Sequence, residues 1–131
     1  MRLFILLVKH INSAIRKPTR RVRVYLANKE RALDFVYARV ALYNEIYNFN
    51  FNRISVKNQK TRWGSCSEKG NLNFNYRIVL LPIEMADYII VHELCHLGEL
   101  NHSPKFWNLV AKTMPNYLEI RKRLFFLRHF W

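Results

Sequence analysis

Tyr88-Ile89-Ile90-Val91-His92-Glu93-Leu94-Cys95-His96-Leu97, with His102 shortly beyond, organises the reading of everything around it. In a helix, positions four apart project from the same face one turn above each other, so His92 and His96 present two imidazoles to one point in space. That is the geometry two imidazoles need to share one Zn²⁺. Glu93 then sits beside the metal without ligating it, placed to take a proton from a water that the metal activates. The expected chemistry is hydrolysis by metal-activated water.

The flanks strengthen this expectation. Tyr88 to Val91, Leu94, Cys95 and Leu97 make the helix apolar nearly all round, which predicts burial. Desolvating two imidazoles and a carboxylate without partners costs several kcal/mol, and a metal removes that penalty. Pro82 suits the first turn, where its missing N–H is harmless, and Glu84 and Asp87 place negative charge near the positive end of the helix dipole. Gly98 is expected to stop the helix in a left-handed conformation, turning the chain so that His102 faces the two helical histidines. Glu99 competes with His102 as third ligand. His102 is preferred, because three neutral imidazoles leave a dicationic site with an open position for water.

The chain has 131 residues, half of them apolar and 15% aromatic, enough for one hydrophobic core and too few for two. A single domain over 1–131 is expected, with a short basic segment at 1–28, a catalytic core at 52–114 and a basic C-terminal helix at 115–131. Three glycines and four prolines, without repeats, leave little material for a linker. Cys66 and Cys95 do not make a disulfide framework and fit a reducing cytoplasm. The apolar run Leu3 to Val8 is broken by Lys9 and His10 and is far below the roughly 20 residues a membrane span requires. A buried strand or the first turns of a helix is expected there. His10 and His129 are isolated and read as ordinary surface residues.

A net charge of +13 arises from 22 basic and 9 acidic residues. The excess concentrates in Arg16-Lys17-Pro18-Thr19-Arg20-Arg21-Val22-Arg23 and in Arg121-Lys122-Arg123 with Arg128. Such clusters suit a polyanion, either nucleic acid or an acidic membrane surface.

Elsewhere the pattern describes scaffold. Leu33, Val36, Tyr37, Val40, Tyr43 and Tyr47 recur every three or four residues, predicting an amphipathic helix over 29–48. From Arg53 to Arg77 the period falls to two, through Ile54 and Val56, the run Thr61 to Cys66, and Leu72, Phe74 and Tyr76, with Glu68-Lys69-Gly70-Asn71 as turn chemistry. A small antiparallel sheet containing a hairpin is expected. Ser103 can cap a helix that has Pro104 at its first position and Phe106, Trp107, Val110 and Met114 as one stripe, and Pro115 ends it. A last helix runs from about Tyr117 to Phe130.

Taken in order, Lys60-Thr61-Arg62-Trp63-Gly64-Ser65-Cys66-Ser67, Gly70-Asn71-Leu72-Asn73-Phe74-Asn75, Leu81-Pro82, the Tyr88 to Leu97 segment and Asn101-His102-Ser103-Pro104-Lys105-Phe106-Trp107 resemble the YgjP-like, WLM-related family of metal-dependent hydrolases. The match runs from about Asn52 to Met114. It implies an α+β, minimal zincin-like fold with a small sheet beside the active-site helix and flanking N- and C-terminal helices. It also implies one Zn²⁺ per chain on His92, His96 and His102, with Glu93 as base, and a strand Arg62-Trp63-Gly64-Ser65 along the cleft.

The expected function is thus a zinc metallopeptidase acting on a peptide or protein. Substrate contacts fall on Arg62, Trp63, Ser65 and Asn101, although Arg62 reads equally as a salt bridge that positions the sheet and Trp63 also reads as core. The oxyanion stabiliser is to be found among Asn101, Tyr76 and Arg62. The alternative is a DNA-associated protein that binds through its basic N- and C-terminal segments, either a protease similar to the SprT-like enzymes or a non-catalytic binding module. Hydrolysis of another amide or an ester is a third reading.

Overall fold

The computed structural model describes residues 17–127. Helix α1 (Arg20–Tyr47) leads into strand β1 (Arg53–Lys57), strand β2 (Gly64–Cys66) and strand β3 (Asn71–Asn75). A 3₁₀ turn (Tyr76–Leu80) follows, then helices α2 (Ile83–Cys95), α3 (Pro104–Thr113) and α4 (Tyr117–Leu127). This is the expected α+β architecture. The segments around Leu3 to Val8, His10, Arg16, Arg128 and His129 lie outside the described residues.

Helix α1 begins nine residues before the amphipathic pattern does. The Thr19 side chain caps it by accepting from Val22 N at 3.3 Å. Asn48 ends it in the left-handed region at φ 54°, a conformation asparagine tolerates better than most residues. Ala32, Val36, Val40 and Tyr47 are the buried positions, whereas Tyr37, placed on the inner stripe by its spacing, is 49% exposed.

The sheet is mixed, with strand order β1-β3-β2, which corrects the antiparallel expectation. β2 and β3 form the expected antiparallel hairpin, with Gly70 at φ +78° in its turn. β1, however, pairs parallel with β3 from Arg53↔Asn71 to Lys57↔Asn75. The loop after β1 carries the chain past the place β3 will occupy, and the hairpin then returns β3 into the middle. β2 is left as an edge strand. Tyr76 is not part of the strand: Asn75 caps the 3₁₀ turn by accepting from Arg77 N, and Tyr76 starts that turn.

Helix α2 is the centre of the molecule. Met85 through Val91, Glu93, Leu94 and Cys95 are all buried, and the helix packs on α1, α3, α4 and β2. Each fully buried Leu, Ile or Val on it contributes about 1.5–3 kcal/mol relative to exposure. Two polar ties fix its neighbours. Asp87 accepts from Arg39 Nε and Nη2 at 2.7 and 2.6 Å and from the Tyr43 hydroxyl at 3.0 Å, locking α2 to α1. The Tyr47 hydroxyl reaches Leu109 O at 2.6 Å, locking α1 to α3.

Gly98 does not provide a left-handed stop. Gly70 is the one glycine at positive φ. The helix instead tightens at its end, Leu97 N donating to Leu94 O and Gly98 N to Cys95 O, both at 3.0 Å. A Cβ at Gly98 would lie 2.8 Å from Phe49 Cζ. Glycine is needed there because the Phe49 ring takes the space of a side chain.

Candidate active site

Three imidazoles converge where α2 ends and the chain turns back. His92 Nε2 lies 3.2 Å from His96 Nε2 and 3.2 Å from His102 Nε2. The ligand atoms of the three residues all fall within 4.8 Å of one another, and they form the metal-competent cluster among the described residues. Two imidazole nitrogens sharing a tetrahedral zinc, each at about 2.0–2.1 Å, stand about 3.3 Å apart. The donor set therefore fits such an ion.

The far sides of two rings are held. His96 Nδ1 is 2.9 Å from Glu99 O, and His92 Nδ1 is 3.1 Å from the Tyr88 hydroxyl. With each Nε2 turned toward the cluster, Nδ1–H donates outward and fixes the ring orientation, as partners of metal-binding histidines commonly do. Glu99 thus serves the site through its backbone carbonyl, while its side chain is outside the cluster. Phe106 closes the inner side, its ring stacked on His96 at 4.4 Å between centroids.

Burial favours the neutral form of the two helical rings. Burial, reinforced by the charges of His96, His102 and Arg121, pushes the His92 pKa down to about 3. Burial also lowers His96. A neutral imidazole is the form that binds a metal.

Glu93 is buried beside the histidines, and burial pushes its carboxyl up to about 8 against the opposing pull of Arg62. Its position depends on Gly64. A Cβ on Gly64 would stand 2.8 Å from Glu93 Cγ and 3.0 Å from Glu93 Oε1, with Asn73 O a further 3.0 Å contact. The absence of a side chain on this β2 residue lets the carboxylate lie flat against the strand. Nothing in hydrophobic periodicity signals this, and only a glycine inside a strand pattern hints at a close approach.

A cleft of about 490 Å³ opens over His92, Glu93 and His102. One wall is Thr61, Arg62, Trp63 and Gly64, leading into and starting β2, and the other is Arg121, Leu124 and Phe125 on α4. Asn75 holds the first wall: its side-chain amide donates to Gln59 O at 3.1 Å and Arg62 O at 2.9 Å, while Asn75 N donates to Trp63 O at 2.8 Å. Of the expected substrate contacts, Arg62 and Trp63 line the cleft. Ser65 instead lies 3.3 Å from Asn73 Nδ2, and Asn101 Oδ1 accepts from Ser103 N in the turn before α3. Tyr76 is buried at 2% exposure against Tyr25.

Sequence reasoning missed the α4 wall. Within the basic runs, Arg21 Nε donates to Asn58 Oδ1 at 3.2 Å and Arg123 pairs with Glu84 at 3.2 Å. No helix of the described residues is long and apolar enough to cross a membrane.

Comparison with known proteins agrees with this geometry. A family model described as YgjP-like, metallopeptidase domain, matches residues 7–125. The metallopeptidase zymogen of Pyrococcus abyssi, abylysin, is similar with a TM-score of 0.62 and 26% identity, covering 68% of this chain and 90% of that one. The zymogen of Methanocaldococcus jannaschii jannalysin gives a TM-score of 0.60 and 27% identity over 69% of this chain and 93% of its own. No curated protein matches the chain.

Proposed function

The chain belongs to the YgjP-like metallopeptidase family, and from that premise we propose that it hydrolyses peptide bonds with one Zn²⁺ held by His92, His96 and His102 and with Glu93 as general base. The observation that carries this reading is the convergence of three imidazoles beside a buried carboxyl at the floor of an open cleft.

A zinc ion in this site supplies Lewis acidity toward a carbonyl oxygen and lowers the pKa of the attacking water. The chain's own residues supply the rest. Glu93 takes the proton from water and returns it to the departing amine nitrogen, a task best served by a carboxyl poised near neutral pH. Arg62 opposes the burial of Glu93 and so keeps its ionised form within reach. Arg62 is also the cleft-lining member of the three oxyanion candidates, since Asn101 caps a turn and Tyr76 is in the core. β2 is an edge strand at the cleft wall, and such an edge accepts an extended peptide as an added strand.

The test is cleavage of quenched-fluorescent peptides by the purified protein. Activity removed by a chelator, restored by zinc and absent in Glu93→Gln supports the assignment. Cleavage that survives both chelation and Glu93→Gln sinks it.

A further inference from the structure

Arg121-Lys122-Arg123 is a basic run whose members do different things. Arg123 is engaged by Glu84. Lys122, exposed like Arg121, is not part of the cleft lining. Arg121 faces the cleft, and its guanidinium lies over the Trp107 ring, 4.5 Å from the centroid. Trp107 is itself stacked on Tyr117 at 5.0 Å and 10° and on the third imidazole, His102, at 5.7 Å and 22°. This aromatic layer ties the position of Arg121 to that of the metal-competent cluster. A guanidinium held over an aromatic ring can still offer N–H groups to a planar, two-pronged acceptor.

No such acceptor is supplied by the described residues. Among the described residues no carboxylate is paired with Arg121, and the one acidic residue lining the cleft is Glu93, beside Arg62 on the other wall. The neighbours of Arg121 on its own wall, Leu124 and Phe125, are apolar.

We propose that Arg121 is the specificity-determining residue of the cleft, its guanidinium receiving a carboxylate of the peptide substrate, so that the enzyme favours acidic peptides. The inference rests on the peptidase reading and adds the substrate class to it. The carboxylate comes either from an Asp or Glu side chain near the scissile bond or from the free end of the substrate.

Matched fluorogenic peptides with amidated C-termini, differing by Glu or Gln next to the scissile bond, separate the first source from the second, which is carried by a parallel set with free C-termini. The native enzyme is expected to show a kcat/KM ratio of about tenfold or more in favour of the carboxylate-bearing member, the scale of one charge-assisted hydrogen-bonded pair. That ratio falls toward one in Arg121→Gln, falls below one in Arg121→Glu, is partly kept in Arg121→Lys, and is unchanged in Lys122→Gln. The same peptides titrated into Glu93→Gln protein by fluorescence anisotropy report the preference as a ratio of Kd values, with and without Arg121→Gln, independently of turnover. Equal ratios in the native and Arg121→Gln backgrounds, by kinetics or by Kd, overturn the proposal. A native protein that cleaves no peptide refutes the peptidase reading instead, and the Kd ratio still decides the role of Arg121.

Discussion

Helix α2 buries two carboxylates, and the fold treats them in opposite ways. Asp87, 6% exposed, is clamped by both prongs of the Arg39 guanidinium and by the Tyr43 hydroxyl. Glu93, 7% exposed, has no ion pair among the described residues and feels Arg62 only as a nearby charge, which leaves its carboxyl pushed up to about 8. An acid that serves architecture is neutralised within the protein. The one proposed to serve chemistry is left with its desolvation cost uncompensated, and strongly perturbed groups of this kind concentrate at functional sites.

The contrast is broken most severely at Glu93. Glu93→Gln should lower kcat by about a thousandfold, the range of a lost general base, while metal content and fold remain. The same variant sharpens the electrostatic side of the comparison. Glu93 holds its proton more tightly folded, at about 8, than at its ordinary value of 4.5. Above pH 4.5 the folded state therefore binds more protons than the unfolded state, and stability declines as pH rises toward 8. In metal-free protein, the native chain should lose melting temperature relative to Glu93→Gln across that window. A constant difference between the two would contradict the burial of this carboxyl.

Gly64→Ala comes next. The added methyl collides with Glu93 and with Asn73 O, and displacement of a catalytic group by about 1 Å can cost about a hundredfold in rate. Steady-state kinetics should show this with zinc content unchanged. Near-native kcat would mean that Glu93 does not need the space that glycine leaves.

Asp87→Ala tests the architectural acid. Removing one partner of a fully buried pair costs about 3–5 kcal/mol, and because the Arg39 side chain is 27% exposed the expected loss is smaller, about 2 kcal/mol. Urea unfolding should report it, with kcat little altered. A large loss of kcat at full stability would make the two acids equivalent and dissolve the comparison. The smallest effect belongs to Asn75→Ala, which releases Gln59 O and Arg62 O for about 1 kcal/mol and raises KM by loosening the wall that carries Arg62.

The two acids also mark how far the sequence can be read. His92, Glu93 and His96 were legible because their relation is local, set by helical period alone. Asp87 was read only as a favourable charge near a helix start, since its partner Arg39 is 48 residues away. Long-range pairing hid the parallel β1–β3 ladder for the same reason: the alternation of Ile54 and Val56 reports a strand but not its neighbour. Gly98 and Gly64 carried plausible turn or strand meanings, and their actual cause, a ring or a carboxylate occupying the place of a Cβ, exists only in three dimensions. Arg121 joined the cleft because α4 folds back over α2, which a run of basic residues does not announce.

Metal content of the purified chain measures the central claim most directly, comparing the native protein, Glu93→Gln and each of His92→Ala, His96→Ala and His102→Ala by elemental analysis after zinc loading. The account predicts one zinc per chain in the native protein and in Glu93→Gln, and its loss in all three histidine variants. Failure of the native protein to retain zinc, or full retention in any one of the histidine variants, would contradict it.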